Sequence, residues 1–286
     1  MLVIVGYLIV IGSVFGGFLL AGGHLSALMQ PVEVLMIAGA AIGAFLVGNS
    51  PKVLKATMQA LPTVLKGSKY TKARYMELMG LQYAVLTKIR KEGLMSIERD
   101  VEAPHESPLF SQFPDLLADH HLIEFFTDYL RLMVSGNLNP MEIENLMDNE
   151  IDTHHHEGAI PATAIQKVGD GLPAFGIVAA VMGVVHTMAS VGLPPAELGM
   201  LIANALVGTF LGILLAYGFV GPLSGLLEQK LDDATKQLQC VKVTLLASMN
   251  GYAPQLAVEF GRKILYSTER PTFTELDEHV RASKGR

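Results

Sequence analysis

The chain has 286 residues, half of them hydrophobic and only 17% charged, with a net charge of −6. Its mean hydropathy of +0.39 is too high for an ordinary soluble protein of this size and calls for a membrane. The acidic balance excludes general nucleic-acid binding, which needs a basic face, and the single cysteine, Cys240, excludes an internal disulfide or a multi-cysteine metal site.

The first apolar run, Leu2 to Ala21, predicts a membrane helix, and its Gly12, Gly16 and Gly17 would let a second helix approach closely. No basic stretch precedes it and no A-x-A site follows, so this helix is expected to be retained. A short turn, GGHLSALMQP, leads to a second run from Val32 to Val47 with Gly39 and Gly43 four apart. Glu33 lies just inside that run, where a carboxylate is expected to snorkel to the interface, a proton-entry role being the less favoured alternative.

From Lys55 to Lys66 the pattern is a short amphipathic segment interrupted by Pro62. Lys52, Lys66, Lys69 and Lys72 lie close by, suited to anionic lipid. Met76, Met79, Tyr83, Leu86 and Ile89 recur at helical spacing between Tyr70 and Lys91, and Gly93 ends the helix. Lys88, Arg90 and Lys91 fall at its last turn, where cations suit the helix dipole. A polar break, EAPHESP at 102–108, precedes a predicted helix pair over 109–135. Asn139-Pro140-Met141-Glu142 then supplies an N-cap, a proline at the first helical position and a capping-box glutamate. His154, His155 and His156 follow on that helix, about 100° apart around its axis, so they cannot all face one metal; a solvated terminus is expected.

The stretch from Gly169 to Pro222 is a predicted membrane hairpin. No Lys, Arg, Asp or Glu occurs between Leu172 and Val191 or between Leu198 and Leu227, and about 20 apolar residues suffice to cross the bilayer core as a helix. Pro173 and Pro222 mark either helix boundaries or bends. Thr209, among Gly208, Gly212 and Gly218, can line a water-filled path or bond back to its own helix. His186 is expected to pack or sit at the interface, a proton relay being the less favoured alternative. Residues 226–249 predict a long amphipathic helix continuous with the membrane helix, and the polar tail RPTFTELDEHVRASKGR is expected to be partly disordered or to dock late.

The fold class is therefore an all-α integral membrane protein, with four transmembrane helices and a helical cytoplasmic domain. The expected divisions are 1–49 (first two membrane helices), 50–168 (cytoplasmic domain), 169–225 (last two membrane helices) and 226–286 (cytoplasmic helix and tail). All 21 Lys and Arg lie in 52–167 or 230–286, which places both segments and both termini in the cytoplasm. No phosphate loop, GxSxG elbow, HExxH pair or dinucleotide turn is present, which argues against an enzyme, an ATP-driven pump, a cofactor or a metal. The membrane helices carry no central charged residue, so if the protein conducts protons the carrier carboxylate must come from another chain.

The residues Ala205-Leu-Val-Gly-Thr-Phe-Leu-Gly-Ile-Leu with the following Pro222 resemble the signature of the MotA family of flagellar stator proteins. The sequence around Pro173, SIERD at 96–100, NGYAPQLAVEFGRK at 250–263 and RPTFTELDEHVR at 270–281 extend the resemblance in order along the chain. The resemblance implies an inner-membrane stator subunit, about five copies of which ring two copies of a MotB-type peptidoglycan-binding partner. That partner supplies the proton-carrying aspartate. The resemblance carries Pro173, Thr209 and Pro222 over as ion-pathway and coupling positions, and Arg90, Glu98 and Glu150 as contacts to the rotor protein FliG. Sodium-type relatives have a threonine where this chain has Ala180, so the resemblance favours protons over sodium. The alternative is an ExbB- or TolQ-like proton-channel subunit energising outer-membrane processes, and a scaffold without ion flux is a rival from another class.

Overall fold

The computed structural model describes residues 2–136, 139–189 and 191–283. In chain order the main helices are α1 (Leu2–Leu20), α2 (Pro31–Gly48), α3 (Pro51–Val64), α4 (Lys72–Glu92), α5 (Glu98–Glu102) and α6 (His120–Ser135). They continue with α7 (Pro140–Met188), α8 (Pro195–Ile213), α9 (Gly221–Met249), α10 (Pro254–Ile264) and α11 (Phe273–Ser283), a π-helical stretch over Leu214–Val220 joining α8 to α9. No strand occurs among the described residues. Among the described residues four stretches are long and apolar enough to cross a membrane, belonging to α1, α2, α7 and the α8–α9 run. The chain divides into two compact units, residues 1–67 with 158–229, and residues 68–157 with 230–286.

In the first unit the core is small. Ile37 and Ala41 of α2, Leu172 and Ala179 of α7, and Ala216 of the π stretch are buried together. None of the residues of α1 is buried, and Leu2, Leu8, Ile9 and Leu20 are exposed, as suits a helix whose apolar surface meets lipid or another chain. α1 is held by the Tyr7 hydroxyl, which donates to the Phe219 carbonyl at 2.9 Å with the two rings 4.9 Å apart, and by an edge-on contact of Phe15 with Phe210. Pro62 does not interrupt α3, contrary to the sequence expectation. Pro62 leaves only the Met58 carbonyl without its amide partner, and the turn beyond it is held by Val64, buried against Ala162, Ile165 and Leu227.

The second unit has a conventional apolar core. Tyr75, Leu78, Met79 and Leu86 of α4 meet Phe126 and Leu130 of α6, Ile143 and Met147 of α7, and Cys240, Val241 and Leu245 of α9. Thr71 caps α4, its hydroxyl accepting from the Arg74 amide, and Gly93 ends it at φ +88°, a conformation that glycine adopts without strain. The capping box of α7 forms in both directions: the Glu142 amide donates to Asn139 Oδ1 at 2.9 Å, and the Asn139 amide to Glu142 Oε2 at 3.0 Å. A second box, Thr272 with Glu275, opens α11. The tail up to Ser283 is accordingly an ordered helix, with Leu276 and Val280 buried and Lys72 Nζ 2.7 Å from Glu275.

Two further expectations are corrected. The pair over 109–135 contains only one full helix, α6, preceded by a 3-10 turn at Phe110–Gln112 and a single helical turn at Pro114–Leu117. Asp119 separates them because Lys69 and Arg74 hold its carboxylate at 2.7 and 2.5 Å. The histidine run is not a helix terminus but lies within α7, and its members diverge. His155 Nδ1 lies 3.0 Å from Thr235 Oγ1, His156 turns back on the Asp152 carbonyl, and His154 faces the His121 ring.

Candidate functional site

The expected pathway positions all fall in the first unit, where α7 and α8 touch backbone to backbone. A Cβ at Gly176 would sit 2.7 Å from the Gly208 carbonyl oxygen, and one at Gly212 would sit 2.7 Å from the Leu172 carbonyl oxygen. Glycine at these points is what allows the approach. Ala180 is buried on the same face of α7, its amide nitrogen 3.2 Å from the Cβ position of Gly208. Thr209, the next residue of α8, is half-buried. Ala180 and Thr209 are thus brought to one level by Gly208.

Pro173 and Pro222 share a second level. Pro173 has no amide proton to give to the Gly169 carbonyl one turn back. Gly169 in turn packs against Val220 and Gly221, the two residues before Pro222, at 3.4 and 3.7 Å from its Cβ position. The helix around Pro222 has already given way. Its ring would crowd the carbonyl of Gly218, and the chain widens into the π stretch Leu214–Val220, after which the Gly221 amide donates to Ala216, five residues back. α7 runs through Pro173 as continuous helix. Two weak points in adjacent helices therefore lie side by side.

Glu33 departs from the sequence expectation. It does not snorkel outward: only 7% of the residue is exposed, and its carboxyl group lies between α7 and α8. The reason is the absence of side chains at Gly183 and Gly208, whose Cβ positions lie 3.6 and 2.6 Å from its two oxygens. His186 is exposed, and Asp170 accepts from Gln166 Nε2 at 2.7 Å. No group of three His, Cys, Asp or Glu among the described residues is placed to hold a metal ion.

The expected rotor contacts all fall in the second unit. Arg90 is exposed in the last turn of α4, and Glu98 is exposed as the first residue of α5. The sequence reading missed what orients them. Asp100, buried two residues after Glu98, accepts from Lys88 Nζ at 2.6 Å and from the Ser107 hydroxyl at 2.6 Å, which ties α5 to α4. Arg131 of α6 holds the other end, donating to the Val101 carbonyl at 2.8 Å and to Glu102 at 3.1 Å. Met95, Glu98, Val101, Arg131 and Val134 line an open groove of about 320 Å³ at this edge. Glu150 is exposed on α7, but Oε2 accepts a 2.6 Å bond from the buried Tyr129, and burial together with that carboxylate pushes the phenol pKa upward. A charge pattern of SxxRD type could have flagged Asp100, since a carboxylate flanked by charge two residues from an exposed acid is a natural anchor.

The Asp119 hub braces the same unit. Burial alone would raise its pKa, but Lys69, Arg74 and Gln237 outweigh that and hold the carboxyl below its ordinary value. His154, by contrast, is held below the usual histidine range by burial and by the neighbouring His121.

Residues 4–93 match the family described as Motility protein A N-terminal, and residues 118–240 match the MotA/TolQ/ExbB proton channel family. The chain is 60% identical over 282 residues to Motility protein A of Salmonella typhimurium, covering 99% of this chain and 96% of that protein. It is 38% identical over 280 residues to Chemotaxis protein LafT of Vibrio parahaemolyticus, covering 98% of each. The fold is similar to that in the structure of C. jejuni MotAB, with a TM-score of 0.76 and 19% identity over 93% of this chain and 95% of that one. It is also similar to that in the flagellar MotAB stator complex from Bacillus subtilis, with a TM-score of 0.73 and 22% identity over 96% of this chain and 98% of that one. With both halves of the chain matched and a relative so similar over nearly its whole length, the chain belongs to the MotA family of inner-membrane proteins.

Proposed function

We infer that the chain is a flagellar stator subunit that, with a MotB-type partner, couples proton flow across the inner membrane to torque on the rotor. The observation that carries this is the 60% identity to a motility protein over 99% of the chain. The match of residues 4–93 to the motility-specific N-terminal family favours this role over an ExbB- or TolQ-like one.

In this reading several copies of the chain, about five, surround two partner helices that bring the proton-carrying carboxylate. Both termini and the second unit lie in the cytoplasm, consistent with the placement of Lys and Arg. Ala180 offers no hydroxyl oxygen to a sodium ion, which supports protons as the coupling ion. Protonation of the partner's carboxylate removes its charge and its preference for polar surroundings, and the ring steps to a different alignment. A proton crossing about 100 mV yields roughly 2.3 kcal/mol, so the steps must be shallow. The adjacent weak points at Pro173 and Pro222 are where helix bending costs least. Arg90, Glu98 and Glu150 pass the motion to complementary charges on the rotor protein FliG, and the lysines near α3 rest on anionic lipid.

The test is swimming in a host deleted for this gene and any second stator pair. Deletion should leave cells paralysed with normal filaments. The wild-type gene should restore swimming, and Pro173→Ala should not. Undiminished swimming of the deletion strain would overturn the stator reading.

A further inference from the structure

Glu33 is the single Asp, Glu, Lys or Arg in the apolar runs of α1 and α2, and it is not at their surface. Oε2 is buried and has no hydrogen-bond partner. The slot that receives it is built by three residues on two other helices. Oε2 lies 2.6 Å from the Cβ position of Gly208, and Oε1 lies 3.6 Å from that of Gly183, beside Ala205. The same Gly208 position abuts the amide of Ala180 and precedes Thr209, so the carboxyl group reaches the level of the pathway residues. An alanine at 208 would displace it.

Among the described residues no cation pairs with the group. The titratable residues of the helices packed against it point elsewhere: Asp170 is bonded to Gln166, Lys167 lines a pocket with Gly48 and Asn49 at the other end of α2, and His186 and Glu197 are exposed. Tyr7 of α1 donates to Phe219. Burying a carboxyl group in an apolar wall without a partner is costly, and membrane chains keep such groups where a proton or water reaches them. A purely packing residue at this position would be better served by leucine or methionine.

Resting on the stator reading above, we propose that Glu33 is a proton-binding group of this chain itself, which takes up a proton from the outer side and passes it into the path at Ala180 and Thr209. The step is a simple acid–base exchange. A hydronium ion gives its proton to Oε2, forming the O–H bond and leaving water, and the acid then releases the proton to a water next to the partner's carboxylate. No electrons move. The partner's acid remains the carrier, and Glu33 sets how readily it is supplied.

The experiment is swimming speed as a function of external pH in the double-deletion host carrying wild type, Glu33→Gln, Glu33→Asp or Gly208→Ala. The amount of the chain in the membrane and its co-purification with the partner are measured in parallel. Glu33→Gln keeps the shape but cannot exchange a proton, so its speed should match wild type near pH 6 and fall by about twofold or more near pH 8, where protons are scarce. Glu33→Asp should retain most of the speed at both values, and Gly208→Ala should reproduce the Gln defect. A Gln variant that tracks wild type at every pH overturns the proposal. So does a slowing that is independent of pH, or one explained by loss of the chain or of its partner, since each marks a packing role. If the wild-type gene fails to restore swimming, the stator reading falls and the proposal falls with it.

Discussion

Cys240 shows how far one side chain's chemistry follows from its burial. It is fully enclosed between α9 and α10, and burial pushes its thiol up to about 12. Almost none is thiolate at neutral pH, so the folded chain should resist alkylation by a thiol reagent and react fully once denatured. Mass spectrometry before and after unfolding reads this directly. Asp119 makes the opposite case, a charge that is kept. Removing it in Asp119→Ala leaves Arg74, whose side chain is only 10% exposed, with neutral acceptors alone, Gln237 and the Asp115 carbonyl, and breaking such a buried pair typically costs about 3–5 kcal/mol. Because the folded pKa lies below the unfolded one, the stabilisation is fully present above the unfolded value of about 3.9 and is lost as pH falls through the lower folded value. Urea midpoints of the purified chain in detergent should therefore be insensitive to Asp119→Ala only in strong acid. A buried, reduced Cys240 is what its place on an amphipathic helix suggested, but the role of Asp119 was not legible, since it meets Lys69, Arg74 of α4 and Gln237 of α9 across long separations.

At the scale of elements, what the sequence announced were local events. Asn139 with Glu142 and Gly93 both fixed helix ends through bonds within four residues, and such signals survive any tertiary context. Side-chain direction did not survive it. Glu33 turns inward because of glycines 150 and 175 positions away in the chain, so no local pattern could have revealed its slot. The membrane hairpin was legible from its uncharged runs, but not the contact that joins its arms. Gly176→Ala should force α7 and α8 apart, because the new methyl meets a carbonyl of the facing helix at 2.7 Å. Overpacking of this kind costs about 1–3 kcal/mol, and the level of folded chain in membranes should fall. Gly225→Ala, with nothing within 4 Å of its Cβ position, is the control expected to be neutral or slightly stabilising.

At the scale of the whole molecule, the two units carry different kinds of residue for the two halves of the proposed task. The first keeps the proposed pathway positions within a wall of small residues, and the second offers exposed charges on a firmly braced core. Arg90 and Glu98 are proposed as rotor contacts only through family resemblance, because an exposed charge on a helix end is by itself ordinary surface. Contacts made by such solvated charges are individually worth about 1 kcal/mol or less. Glu98→Lys should consequently lower the torque of tethered cells without abolishing rotation, and reversing the facing charge on the rotor should restore it. Disturbing the brace should cost more: Asp100→Ala, which frees both Lys88 and Ser107, is expected to reduce torque further than the loss of Glu98 alone.

The wide turn before Pro222 has a further consequence. A π stretch holds a surplus residue within the helix, and an α-helix turns by about 100° for each residue it contains. Closing Leu214–Val220 back to α geometry would expel that surplus toward one end. The face of α8 that bears Thr209 would then swing around its axis while Pro222 and everything after it kept their register. Such a swing would have to break or carry with it the hydrogen bond that the Tyr7 hydroxyl of α1 gives to the Phe219 carbonyl.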